Sequence, residues 1–157
     1  FTSVAHDLVN NEVTAIISDQ KGFVWFGTRG GLQRFDGYEM KLLKNDVSVA
    51  ENLKSQSIEV VLASEKYNCL WIGTKSGGIS KYDLKTGATT NFSLNVPVNG
   101  SFNEDYILSL LETNNGKLLV GTWQGLGCLD IATATFTIID TRWKTFDIQA
   151  DGNNGYW

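Results

Sequence analysis

The sequence predicts an all-β chain of repeated four-stranded antiparallel sheets, and three observations predict it. A tetrapeptide recurs as Trp25-Phe26-Gly27-Thr28, Trp71-Ile72-Gly73-Thr74 and Leu119-Val120-Gly121-Thr122, with its glycines 46 and 48 residues apart. A second landmark follows each copy: Gly31-Leu32 leads to Asp36, Gly78-Ile79 to Asp83 and Gly125-Leu126 to Asp130, the aspartates being 47 residues apart both times. Across 157 residues there are 16 Gly against one Pro, 11% aromatic residues and a single Met, a balance that favours short strands and tight turns over a helical bundle.

The elements follow in order. Leu8, Leu53 and Phe102 each stand five residues before an aliphatic residue, Val13, Ile58 and Ile107. From these start apolar runs over 13–18, 58–63 and 107–112, too short for helices and closed by polar turns such as Asp19-Gln20-Lys21-Gly22 and Thr113-Asn114-Asn115-Gly116. Each unit then divides into four strand-like segments, as at 58–64, 69–74, 78–83 and 88–94, and Gln33 to Leu43 reads as two short strands around Asp36-Gly37. A fourth copy begins near Thr145, where Asp151 stands six residues before Trp157 as Asp19 stands six before Trp25.

A four-stranded repeat of this period is a propeller blade, and repeats of leucine-rich or helical-pair type need other periods. The expected fold is a partial β-propeller, with blades over about 8–45, 53–95 and 102–140 and the start of a fourth over 145–157. The runs Val13-Thr14-Ala15-Ile16-Ile17 and Ile58-Glu59-Val60-Val61-Leu62 fit inner strands covered on both faces. Three blades and a beginning do not close a ring, and a blade face left in water forfeits stability on the scale of a whole domain. The chain is therefore expected to be a segment of a longer propeller, or to cover its open sides by association.

Several functions drop out. A net charge of −4 without basic runs argues against nucleic acid as a partner. His6 is the only histidine, which rules out His dyads and multi-His metal sites within this sequence. Cys69 and Cys128 fall at different blade positions, so a disulfide between them is not expected, and no cofactor or metal is expected either. Gly27-Thr28-Arg29-Gly30-Gly31 has no helix after it and reads as a hairpin, not a phosphate loop. Glu104-Asp105 are neighbours on one connection and do not supply two carboxylates across a glycosidic bond. Asp151-Gly152-Asn153-Asn154-Gly155 lacks the Glu of a calcium loop. No residue is expected to be catalytic.

The recurring residues read as structural. Trp25, Trp71 and Trp157 are packing elements. The glycines after the first two of these, and Gly121 in the third unit, allow close backbone approach or a positive φ. Thr28, Thr74 and Thr122 complete the repeated tetrapeptide, and Asp36, Asp83 and Asp130 end strands and bond turn amides.

Together, Leu8-Val9-Asn10-Asn11-Glu12-Val13, Asp19, Gly22 to Thr28 and Gly31-Leu32-Gln33-Arg34-Phe35-Asp36-Gly37-Tyr38 closely resemble a blade of the two-component regulator propellers. The second unit is similar through Leu70 to Thr74, Gly77-Gly78-Ile79 and Tyr82-Asp83, whereas the third departs with Leu119 in place of Trp and Leu129 in place of the aromatic residue before Asp130. The resemblance implies the periplasmic sensor region of an inner-membrane hybrid two-component protein of Bacteroidetes, with a seven-bladed ring. It also implies a downstream membrane helix, a histidine kinase and a DNA-binding response regulator. The expected role is detection of an oligosaccharide and control of glycan-utilisation genes, with Phe1 suiting a chain that begins shortly after a signal peptide or has been trimmed. The expected partners are the sugar, the remaining blades and, in the full-length sensor, a second copy. The competing classes are a propeller lyase or glycosidase and a protein-binding scaffold.

In an up-and-down blade the loop after the second strand and the connection into the first strand emerge on one face, where function concentrates. The residues after each Gly-Thr pair are Arg29, Lys75 and Trp123, and they differ while their neighbours repeat. They are the expected ligand contacts, together with Gln124, Arg142 and Trp143.

Overall fold

The computed structural model describes residues 8–43, 52–92, 94, 106–151 and 155. Among the described residues, twelve strands make three sheets. The first is β1 (Val13–Ser18), β2 (Val24–Thr28), β3 (Gly31–Phe35) and β4 (Met40–Leu42). The second is β5 (Ile58–Ser64), β6 (Cys69–Thr74), β7 (Ile79–Asp83) and β8 (Thr89–Phe92). The third is β9 (Ile107–Glu112), β10 (Lys117–Thr122), β11 (Gly125–Asp130) and β12 (Thr135–Asp140). Every sheet is antiparallel with its strands in chain order. The sheets stack through their first strands, β1 against β5 and β5 against β9, and do not close. This is a partial β-propeller.

The repeated tetrapeptide explains the stacking. Trp25 and Trp71 are buried, the first edge-on to Tyr82 of the next sheet at 5.7 Å and the second among Cys69, Ile79, Ile107 and Leu118. Of the two roles open to the following glycine, close approach is the one realised. A Cβ on Gly27 would meet Ile58 Cγ2 at 2.8 Å, and one on Gly73 would meet Ile107 Cγ2 and Val60 Cγ1 at 2.6 Å, so the next sheet's first strand sits where a side chain would be. Positive φ belongs instead to the glycines that open each third strand, Gly31 (138°), Gly78 (68°) just ahead of β7, and Gly125 (149°). The threonine closes the hairpin. Thr28 Oγ1 donates to Gly31 O (2.8 Å) and Thr122 Oγ1 to Gly125 O (3.0 Å), while Thr74 Oγ1 donates to Gly78 O (3.1 Å) and accepts from Gly77 N (2.8 Å).

Where the Trp side chain finds its polar partner differs between units. Trp25 Nε1 donates to Asp19 Oδ2 in its own sheet (2.9 Å), and Asp19 also accepts from the amides of Lys21 (2.9 Å) and Phe23 (3.1 Å). Trp71 Nε1 donates to Glu112 Oε2 in the next sheet (3.3 Å). At the far end of each sheet Asp36, Asp83 and Asp130 cap turns through Oδ1. Asp36 accepts from Tyr38 and Glu39 amides (both 3.0 Å), Asp83 from Lys85 (2.8 Å) and Thr86 (2.7 Å), and Asp130 from Ala132 (3.1 Å) and Thr133 (3.0 Å).

One expectation needs correction. The strand buried along its whole length is the second one, β6, and not the first strand of a unit. β1 leaves Ile16 62% exposed, because among the described residues its sheet has a neighbouring sheet on one side only: Ala15 and Ile17 pack toward Ile58 and Val61 while Ile16 points away. In the fourth unit, residues 144–149 carry no strand, and Ala150 makes a single bridge. Its turn nevertheless copies the first one: Asp151 N donates to Gly155 O (3.0 Å) and Gly155 N to Asp151 Oδ1 (2.8 Å), as Asp19 N donates to Phe23 O (3.0 Å). His6, Glu104, Asp105 and Trp157 lie outside the described residues.

Two outcomes follow for stability. Gly73→Ala forces Ile107 and Val60 apart and is expected to cost about 1–3 kcal/mol by overpacking, read as a lower urea midpoint; an unchanged midpoint would contradict the close approach. The turn amides hold the Asp36 (Glu39, then Tyr38), Asp83 (Thr86, then Lys85) and Asp130 (Thr133 first) carboxyls below the usual value. A carboxyl with a depressed folded-state pKa lends stability that is present above the ordinary carboxylate range, near about pH 4, and is lost as pH falls through the folded value. The triple variant Asp36→Asn/Asp83→Asn/Asp130→Asn should therefore be less stable at neutrality and show a flatter acid limb in urea titrations, and an acid limb as steep as the parent's would refute the assignment.

Candidate functional site

The register puts the start of each first strand, the end of the second, the start of the third and the end of the fourth at one end of the sheet, as in Val13 opposite Thr28, Thr28 opposite Gly31 and Gln33 opposite Leu42. Arg29, Lys75 and Trp123 leave the sheets there. Arg29 N donates to Glu12 O (3.2 Å) and Lys75 N to Ser57 O (3.0 Å), so each loop is fastened beside the start of its own sheet's first strand.

Arg29 is committed to the protein. Its Nε bonds Glu12 Oε1 at 2.8 Å and its Nη1 pairs with Glu59 Oε1 on β5, so one guanidinium ties the first sheet to the second. The bond to Glu12 is the main influence holding the Arg29 pKa up. Burial pushes the Glu59 carboxyl up, with Arg29 and then Lys75 opposing it. Tyr106, one residue before β9, favours the charged form of both Arg29 and Glu59.

The Tyr106 ring is also the meeting point of the other two predicted contacts. It lies parallel to Trp123, with 7° between planes and 6.0 Å between centroids, and Lys75 Nζ stands 6.0 Å from its centroid. Trp123 in turn meets Phe146 edge-on at 6.0 Å, and Lys144 Nζ lies 3.5 Å from its ring centroid. Trp123 is 42% and Phe146 62% exposed, so this aromatic group opens to solvent. Gln124 is half-buried, its amide bonded to Thr122 Oγ1 at 3.1 Å. Arg142 and Trp143 are exposed at the same end. Arg142 is held locally by Asp140, with Nη2 to Oδ2 at 2.6 Å, a contact that draws the Asp140 carboxyl down to about 2.

The structure brings Lys75 and Trp123 to Tyr106 and ties Arg29 to Glu59, while Tyr106, Glu59, Lys144 and Phe146 are neighbours that the sequence reading does not single out. Tyr106 carried a usable signal. It occupies the position that Glu12 and Ser57 hold in the other units, and it varies beside a repeating first strand.

Chemically the face offers a part-open aromatic surface bordered by ammonium and guanidinium groups. Its described carboxylates Glu12, Glu59 and Asp140 are all bonded to arginine. Both cysteines are buried, and burial pushes the Cys69 thiol up to about 11, far from a reactive thiolate. Among the described residues no group of His, Cys, Asp and Glu side chains is placed to hold a metal ion. Such a surface offers non-covalent contacts to an apolar or flat ligand face and hydrogen-bond donors to acceptor groups beside it.

Comparisons with known proteins agree with this architecture. Residues 7–30 match the family described as two component regulator propeller. No curated protein matches the chain. Among solved structures, the extracellular domain assigned to the hybrid two component system BT3049 from B. thetaiotaomicron is 26% identical, with a TM-score of 0.76 over 88% of this chain and 19% of that one. The extracellular domain assigned to the one component system BT4673 of the same organism is also 26% identical, with a TM-score of 0.74 over 96% of this chain and 20% of that one. The computationally designed Ika4 protein shares the fold at 19% identity, with a TM-score of 0.63 over 90% of this chain and 82% of its own. The chain thus spans about a fifth of the two extracellular domains it resembles. With three propeller sheets in register and the first of them carrying the matched stretch, the chain is similar to the two component regulator propellers and shares their fold with the extracellular domains above.

Proposed function

We propose that this chain is part of the extracytoplasmic sensing propeller of a hybrid two-component protein anchored in the inner membrane, that it binds an oligosaccharide, and that it thereby controls genes for glycan use. The reading rests on one observation above all: the half-open Tyr106–Trp123 stack stands at the loop end of the sheets, where variable residues replace repeated ones. Resemblance at 26% identity to extracellular domains of such systems gives that surface a context. Aromatic faces stack on the apolar faces of sugar rings, and the neighbouring cations and amides supply hydrogen bonds to hydroxyls. Binding is passed on through Tyr106, which stacks on Trp123 and stands under Lys75 beside the Arg29–Glu59 pair that ties the first two sheets. A hydrolytic or eliminative role would need an uncommitted acid and base, and the described carboxylates on this face are tied to arginines.

Calorimetric titration of the sensor domain carrying this chain with a set of tetrasaccharides from plant and animal polysaccharides should yield a binder. Trp123→Ala should weaken it about tenfold, the equivalent of ~1.4 kcal/mol. Unchanged affinity in that variant would remove Trp123 from the site, and release of product from a labelled oligosaccharide would replace sensing with catalysis.

A further inference from the structure

We infer that the ligand of this face is an acidic saccharide, one bearing carboxylate or sulfate groups, and that Lys75 and Lys144 select it. The inference rests on the reading of the Tyr106–Trp123 face as a sugar site. Among the described residues, Arg29, Arg142, Lys75 and Lys144 stand there, and they divide cleanly. Arg29 is paired with Glu12 and Glu59, and Arg142 with Asp140. Lys75 and Lys144 have no ion pair among the described residues, and each holds its ammonium over an aromatic ring, Lys75 at 6.0 Å from Tyr106 and Lys144 at 3.5 Å from Trp123. The carboxylate whose field Lys75 feels, Glu59, is already taken by Arg29. The Asp147 carboxylate, close to Lys144 in sequence, is occupied by the Ile148 amide (2.9 Å) and Gln149 Nε2 (2.8 Å).

This arrangement sets a condition on what can stack. Lys144 covers the indole, so a sugar ring that uses the indole has to move the ammonium off it. At an exposed site a cation over an aromatic ring is a weak contact, whereas an ammonium on a carboxylate or sulfate makes a charge-assisted hydrogen bond. An acidic sugar therefore gives Lys144 a better partner in the same movement that uncovers Trp123, and Lys75 offers a second ammonium beside Tyr106. A neutral sugar displaces Lys144 without replacing its contact.

The test uses matched probes on the sensor domain carrying this chain: tetragalacturonate and its methyl ester, a chondroitin sulfate tetrasaccharide and its desulfated methyl ester, and a neutral galactotetraose. The expected result is binding of at least one acidic probe, weakening as salt is raised, with its neutralised counterpart bound at least about tenfold less well. Preference for tetragalacturonate assigns a carboxylate and preference for chondroitin sulfate a sulfate-bearing ligand. Lys75→Gln/Lys144→Gln should lose about tenfold for the acidic probe and bind the neutral one no more weakly than the parent does, while Lys85→Gln, in a turn at the opposite end of the second sheet, changes neither. Equal binding of acidic and neutralised probes, with Trp123→Ala weakening both, would overturn the acidic preference and leave the sugar site standing. Binding of none of the probes would overturn both.

Discussion

The rest of the molecule depends on a steric condition: the first strand of one sheet occupies the space where the preceding sheet would carry a side chain at Gly27 or Gly73. The repeat length follows, because each unit must bring an aliphatic strand back to the same spot against its predecessor. The flanking residues follow as well. The indole two residues ahead of the glycine fills the gap between sheets, and the threonine behind it ties off the hairpin, so three residues of one tetrapeptide fix spacing, packing and loop geometry together.

That same condition aims the variable residues. Once the hairpin is closed by threonine, the next residue leaves the sheet beside the start of a first strand, and Arg29, Lys75 and Trp123 are delivered to one end without any choice of their own side chain. The opposite end is treated differently. There Asp36, Asp83 and Asp130 spend their carboxylates on local amides, a use that any unit can repeat. One end of the sheets is thus devoted to uniform turns, and the other is left for residues that differ from unit to unit.

Much of the fold was legible because each landmark acts locally or through an identical neighbour. The three tetrapeptides, the aspartates and the apolar runs mark strands whose bounds agree with the structure within a residue or two. What escaped notice depends on contacts between units. Tyr106 is an unremarkable residue before a strand until Arg29, Lys75 and Trp123 converge on it from three different loops. Arg29 looks like a free cation in sequence and proves to be spent on Glu59, thirty residues away. The run 13–17 is as apolar as 58–62, yet Ile16 is exposed, since hydrophobic pattern records a strand's suitability for burial and not the presence of something to cover it.

The two indoles solve the same desolvation problem with different reach. Trp25 satisfies its N–H from an aspartate six residues back, inside its own hairpin. Trp71 borrows a glutamate forty-one residues ahead. During synthesis from the amino terminus, the first unit holds every polar partner of its central ring as soon as its own hairpin exists, whereas the second stays one acceptor short until β9 has left the ribosome. Neighbouring units of nearly the same design thus differ in how much later chain each ring's N–H needs before its acceptor exists.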